Sequence, residues 1–259
     1  MLTAAFNFTT DTVTIAELEA RKLHHDFTEL LTRAVQPALW LLIFGEVLAQ
    51  IRAIPTGQIS YIDFMTPGIL AQSVLFIAIF YGIAVIWERD LGILHKMLAS
   101  PAPRSALVLG KALSASERGL SQAVIIYVLA VLIGVHINWS LLSVLGVLFV
   151  VILGSALFST FSLIIACLVR TRERFMGVGQ LLTMPLFFAS NAIYPISIMP
   201  GWLQAISRGN PLTYEVDALR SLMVIGGVSV YGIFVDIAAL MVSTAILVLI
   251  AARLYPRVI

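Results

Sequence analysis

The residues of this 259-residue chain best placed to do chemistry are the few carboxyls within or beside its long apolar runs: Glu46, Asp63, Glu117 and Asp236. Such a group can bind and release a proton or hold a cationic part of a ligand, and apolar surroundings make it costly to keep without a task. Glu46 lies deepest in its run and is the candidate proton or substrate site; Asp63 and Asp236 fall near the ends of theirs. Glu117 and Arg118 are adjacent and point about 100° apart on a helix, so they need not pair. Enzymatic patterns are missing: there is no H-E-x-x-H and no G-x-S-x-G. Gly110-Lys111 lacks both the upstream glycine and the following Ser or Thr of a phosphate-binding loop. His24 and His25 sit together on a charged stretch while His95 and His136 stand alone, so no metal site is expected. Cys167 reads as a small buried hydrophobe. No catalytic residue, metal or cofactor is expected on this chain.

The elements that must carry these groups follow from composition. Apolar residues make up 60% of the chain and charged ones 12%, with a mean hydropathy of +1.00. A soluble domain has about 25% charged residues, and a fold this size has too little interior to hide the excess apolar surface. Disorder, a disulfide scaffold and, at net charge +2, a nucleic-acid partner are excluded as main readings. The lipid bilayer is the solvent. Long continuous apolar runs favour helices over a barrel.

Stretches free of Asp, Glu, Lys and Arg run from Phe64 to Trp87, Gly119 to Val169 and Phe175 to Ser207. A span needs about 20 apolar residues, so the longest stretch holds two, broken at Gly134–Ser140 by glycine, polar groups and Trp139. The expected fold is an all-α integral membrane protein with six transmembrane helices. They are Ala34–Ile51, Phe64–Trp87, Leu113–Val135, Leu141–Val169, Gly177–Tyr194 and Gly232–Ala252. Met1 to Asp11 holds no basic residue and no compact apolar run, so no signal peptide is expected. With both termini in the cytoplasm, Arg52, Arg208 and Arg220 fall outside and the other thirteen basic residues inside. That bias sets the orientation.

Between the spans, Thr14 to Arg33 repeats Ile15, Leu18, Leu23, Phe27, Leu30 and Leu31 at helical spacing among charges, the pattern of an amphipathic helix lying on the interface. The chain thus divides into a cytoplasmic part, 1–33, and a membrane domain, 34–259. After the second span, Leu91, Leu94 and Leu98 give a short helix one apolar face, and Pro101 and Pro103 end it. Such a helix needs a partner, within this chain or outside it. The 37 residues Pro195–Tyr231 are apolar yet broken by Pro195, Pro200, Gly209, Pro211, Gly226 and Gly227. Short helices over Ile198–Leu203 and Tyr214–Ile225 that dip into the outer leaflet and return would fit them, with Arg208, Glu215, Asp217 and Arg220 pairing or staying at headgroup level. No two glycines are four apart, but Gly154, Ser155, Ala156, Ser159 and Thr160 permit close packing on one side of the fourth span, within the chain or between chains.

Two stretches carry a resemblance. Trp87-Glu88-Arg89-Asp90-Leu91-Gly92, with Pro101-Ala102-Pro103-Arg104 and Leu109-Gly110-Lys111, resembles the E-R-E-x-G…P…GK segment of the ABC-2 type permeases of ATP-binding cassette transporters. Tyr194–Gln204, Asn210-Pro211-Leu212-Thr213-Tyr214 and Ala218-Leu219-Arg220 are similar to that family's signature before its last span. Asp90 stands where the family pattern has Glu. The small bacterial drug, lipid and Nod-factor exporters are the nearest in kind. The resemblance implies a coupling helix that docks on an ATPase subunit, here Glu88, Arg89, Asp90, Leu91, Gly92, Leu94 and Leu98. It also implies outer re-entrant helices with a gate at Pro200, Asn210, Pro211, Tyr214 and Arg220, and pairing with a second permease copy in the bacterial inner membrane. ATP and Mg would be handled on the ATPase. The pathway would lie along the first, second and fifth spans, whose candidates are Trp40, Phe44, Glu46, Phe76, Phe80, Tyr81, Phe187 and Phe188. The expected function is thus the permease subunit of an exporter of a drug-like, lipid or lipid-linked molecule. A lipid-linked glycan on the same architecture, or a proton-coupled secondary transporter using Glu46, are the alternatives.

Overall fold

The computed structural model describes residues 35–51, 54–57, 59–92, 104–169 and 171–254, with the backbone alone at Arg104 and Ser105. The amphipathic helix expected over 14–33, and Leu94 and Leu98 of the short helix, lie outside these residues.

Among the described residues all regular structure is helical, apart from an isolated antiparallel bridge between Ile137 and Val224. Helix α1 covers Val35–Ile51, with a π-helical turn over Trp40–Gly45. It is followed by α2 (Tyr61–Asp90), α3 (Arg104–Ile133), α4 (Leu141–Leu168) and α5 (Arg172–Phe188). After a 3-10 turn at Ile196–Ile198 come α6 (Gly201–Gly209), α7 (Pro211–Met223) and α8 (Ile233–Leu254). Helix starts are written in side chains: Ser60, Ser140, Thr171 and Asn210 each accept a hydrogen bond from a backbone N–H of the first turn.

Among the described residues four helices are long and apolar enough to cross a membrane: α2, α3 from Ala106, α4 and α8. At 30 residues α2 is about 45 Å long and overreaches the roughly 30 Å hydrocarbon layer. Helix α5, with 17 residues, falls short of that length, as does α1. Two helices differ most from the spans read in the sequence. Helix α3 begins at Arg104, not Leu113, because Lys111 is accommodated inside the bundle. Helix α5 runs Arg172–Phe188 instead of Gly177–Tyr194, since Thr171 caps it early and the chain turns after Phe188. The two short helices before the last span are Gly201–Gly209 and Pro211–Met223, each shifted from the stretches read in the sequence.

Helix α2 is the centre of the bundle. Of its most apolar stretch 78% is buried, against 17% for α8 at the periphery. It packs on α1, α3, α4, α5 and α7, while α4 also meets α3, α7 and α8. The main core gathers Met65, Ile69, Leu75, Phe158, Phe187 and Leu219, and a second cluster at the far end holds Val85, Ile86, Val108, Phe175 and Ala251. In lipid, helices associate through close packing and not through water exclusion, so small residues sit at the crossings. Gly119 faces Ser155 across α3 and α4, and Gly154 faces the Glu215 side chain of α7. The small-residue side of α4 is therefore used within the chain. The exterior is studded with Val124, Val128, Leu132, Leu142, Leu145, Phe234, Val242 and Leu249, the surface a bilayer would cover.

Candidate functional site

Polar chemistry collects at the two ends of the bundle. At the end formed by Asp90, Arg104, Leu168, Arg172 and Leu254, helix α2 continues through Glu88, Arg89 and Asp90, so these residues close α2 instead of opening a separate helix. The chain then turns at Leu91 and Gly92, where Gly92 adopts φ 71° and its N–H donates to the Arg89 carbonyl. Glu88 points inward and accepts a 2.5 Å hydrogen bond from the Lys111 ammonium of α3. Asp90 instead stays at the surface, where it accepts from Arg172 of α5 at 2.9 Å and from Arg89 at 3.1 Å. The Arg172 guanidinium lies 3.3 Å from the ring centroid of Trp87, which fixes α5 against the end of α2 by charge and by cation–π contact. Leu91 is left 68% exposed beside this cluster.

The aromatic candidates separate into three places. Trp40 and Phe44 of α1 lie 4.5 Å apart, Trp40 meets Phe187 of α5 edge-on at 5.9 Å, and Phe188 follows Phe187 at 5.3 Å. Phe187 is buried, whereas Phe44 and Phe188 are exposed. Phe188 borders a cavity of about 540 Å³ between α5 and α6, together with Tyr194, Trp202 and Asn210. Phe76 and Phe80, 6.4 Å apart on α2, line a different cavity with Gln36 and Pro37 of α1. Tyr81 faces the interior, its hydroxyl 2.9 Å from Ser114 and its ring under Arg118 at 5.2 Å. Glu46 is exposed on α1, and Glu117 is exposed on α3.

The opposite end is held by a polar network. Arg220 of α7 is buried; its guanidinium donates to the carbonyls of Asn191 at 2.6 Å and Phe64 at 3.2 Å, and stacks 3.8 Å from the Phe64 ring. Asp217, one turn earlier, accepts from Asn191, Ser229 and the N–H groups of Val230 and Tyr231, with Arg220 3.7 Å away. Burial pushes the Asp217 carboxyl up, against the opposing pull of Arg220 and those donors. The Ser229 hydroxyl lies between the two carboxyls, 3.2 Å from Asp217 and 2.7 Å from Asp236 of α8, and has one proton to share between them. Asp63, at the start of α2, accepts from the backbone N–H of His136 at 3.0 Å and from its ring at 3.1 Å. The Gly134–Ser140 break lies beside α7: Asn138 N–H donates to Met223 and Ile225 N–H to His136. Asn210 caps α7 and donates to the Leu186 carbonyl of α5 at 2.7 Å, while the Tyr214 hydroxyl donates to the Arg208 carbonyl. Pro200 starts α6 and Pro211 starts α7.

The structure thus brings Asn210, Tyr214 and Arg220 into one end and Glu88, Arg89 and Asp90 into the other, and it divides the aromatic set. Charge counting missed the neutral partners Asn191 and Ser229. It also missed Gln72 and Gln122, although an amide inside an apolar run is a visible signal. Among the described residues no cluster of His, Cys, Asp and Glu has the makings of a metal site.

A family model described as the ABC-2 type transporter matches residues 12–224. A protein of Cyanophora paradoxa named as a transport permease, ycf38, is 32% identical over 197 residues, 74% of this chain and 67% of its own length. The daunorubicin resistance ABC transporter permease protein DrrB1 of Streptomyces coeruleorubidus is 26% identical, covering 77% of this chain and 70% of its own. Nodulation protein J of Rhizobium meliloti is also 26% identical, with 75% and 73% covered. The match spans about two thirds or more of the length of each of these relatives. With helices that suit a bilayer and a family match over most of its length, this chain is a multi-pass membrane protein that belongs to the ABC-2 type transporter family.

Proposed function

We propose that this chain is the permease subunit of an ATP-driven exporter, working with a separate ATPase and a second permease copy. The observation that carries the reading is the end of α2, where the Trp87–Gly92 segment of the resemblance is braced by Lys111 and Arg172 and presents an exposed Leu91. A bilayer-embedded subunit must receive force through a rigid contact, and this end is tied to both α3 and α5. In this reading the charged end faces the cytoplasm, α1 and α5 complete six spans, and α6 and α7 dip into the outer leaflet without crossing it. The pathway runs along α1, α2 and α5, and its apolar and aromatic walls suit an amphipathic substrate. The name of one relative points to daunorubicin resistance, which makes that fluorescent amphiphile a practical probe. Export requires the substrate to bind the inward-open form better than the outward-open form, with ATP supplying the difference.

The test is uptake of daunorubicin into inverted proteoliposomes holding the permease and its ATPase. Uptake requires ATP and both subunits, and Leu91→Glu abolishes co-purification of the ATPase while the permease still folds. Uptake by the permease alone down a pH gradient would overturn the reading in favour of a secondary transporter.

A further inference from the structure

We propose that the cavity between α1, α2 and α3 is a binding site for the neutral, hydroxyl-bearing head of an amphiphile. The cavity measures about 340 Å³ and is lined by Gln36, Gln72, Ser73, Phe76, Phe80 and Gln122, among others. Gln72 lies about 17 Å along α2 from Tyr61, and Gln122 about 17 Å along α3 from Ile133, so the two amides sit at matching depth near the middle of the bundle. Both side chains are deeply buried, 3% and 1% exposed. Gln72 Nε2, and both Nε2 and Oε1 of Gln122, have no hydrogen-bond partner among the described residues. An amide that is buried at membrane depth without a partner is a standing penalty, removed when something with matching donors and acceptors enters.

The lining decides the chemistry of the occupant. No Asp, Glu, Lys or Arg lines the cavity among the described residues, so none of these lining side chains would compensate a charged phosphate or ammonium. Two amide N–H₂ groups and one amide carbonyl ask for a group that both accepts and donates, which a hydroxyl does. Ser73 already spends its hydroxyl proton on the Ile69 carbonyl and retains accepting capacity. Phe76 and Phe80 supply the apolar wall for the adjoining carbon skeleton, and the exposed Gln36 marks the open side. The site names a substrate class for the transporter, and that use rests on the permease reading; its occupation does not.

Photolabelling of the full chain in phosphatidylcholine nanodiscs, without ATPase or ATP, tests the site. The probes are diacylglycerol and phosphatidic acid carrying the same diazirine acyl chain. The diacylglycerol probe is expected to label the segment holding Phe76 and Phe80, with excess dioleoylglycerol competing, and to do so at least fivefold more strongly than phosphatidic acid. The double variant Gln72→Leu, Gln122→Leu lowers labelling about tenfold, and each single variant lowers it in part. These substitutions remove unpaired amides and leave the melting temperature equal or higher, so lost labelling is not unfolding. Equal labelling by both probes, or unchanged labelling in the double variant, overturns the proposal and leaves ordinary lipid contact. Failure of daunorubicin uptake with labelling intact would sink the transport reading and spare the site.

Discussion

Glu88 and Lys111, 23 positions apart, form a buried ion pair at the charged end of the bundle, with side chains only 7% and 3% exposed. The pair joins α2 to α3 and explains why a lysine is tolerated inside the run of α3. Removing one member leaves the other charge buried, which costs about 3–5 kcal/mol. Lys111→Met and Glu88→Leu should each lower the melting temperature of the detergent-solubilised permease sharply. The double variant Glu88→Leu, Lys111→Met should recover much of the loss. Losses in the double variant equal to the sum of the single ones would show that the pair is not the coupling element.

Glu215 offers a contrast, since its carboxyl is fully buried on α7, a helix too short to span, and both oxygens lack partners among the described residues. Burial pushes it well above its ordinary value of 4.5. Between 4.5 and that raised value the folded chain keeps a proton that the unfolded chain releases, so stability is full below 4.5 and falls as pH rises, by up to about 1.4 kcal/mol per pH unit. Glu215→Gln should flatten this decline, read as melting temperature against pH. A slope unchanged by the substitution would assign the decline to another group.

The same carboxyl presses on Gly154, where an added Cβ would collide with both its oxygens. Glu215 is itself fully buried, so its displacement would press on packed neighbours, and Gly154→Ala should destabilise by about 1–3 kcal/mol, as overpacking does. Gly177→Ala, at a position with nothing within 4 Å, is the control and should melt within a degree or two of the parent.

Arg220 binds two carbonyls, a ring face and a carboxylate at once, a combination the compact ammonium of lysine does not reproduce. Arg220→Lys should therefore destabilise by about 2–4 kcal/mol despite conserving charge. If this end is the outer gate of the proposed transporter, the variant should also raise passive leak of daunorubicin through reconstituted vesicles at a temperature where it remains folded. A lysine variant that melts like the parent would show that the charge alone holds this end.

Reading the chain without its fold recovers what depends on local pattern. The apolar runs located α2, α4 and α8 to within a few residues, and Gly134 marked the end of α3, where it takes φ 85°. The start of α3 was hidden because hydropathy counts Lys111 as a charge facing water, and its partner Glu88 lies 23 positions away, on the preceding helix. The polar network at the other end was hidden for a similar reason: Asp63 finds His136 across 73 positions, and Asp217 meets Asn191 across 26. Arg208, Glu215, Asp217 and Arg220 were expected to pair or stay at headgroup level with no choice of partners; Asp217 and Arg220 lie 3.7 Å apart, and the carbonyls that Arg220 serves and the donors that Asp217 accepts from were not legible. The aromatic candidates looked alike in sequence, and burial alone divides them.

That division yields a last prediction about the pathway. Phe187 is fully buried, against Trp40, so Phe187→Ala should remove about 3–5 kcal/mol of stability and tell little about transport. Phe44 and Phe188 are 51% and 43% exposed, and truncating either should change stability by less than about 0.5 kcal/mol, as at other surface positions. If they line the route, Phe44→Ala and Phe188→Ala should raise the KM for daunorubicin severalfold in ATP-driven vesicle uptake while the rate of ATP hydrolysis without substrate is unchanged. Exposed leucines on the far side, such as Leu142→Ala on α4, serve as the lipid-facing comparison. A KM that moves equally in all three variants would place Phe44 and Phe188 against lipid and take them out of the pathway.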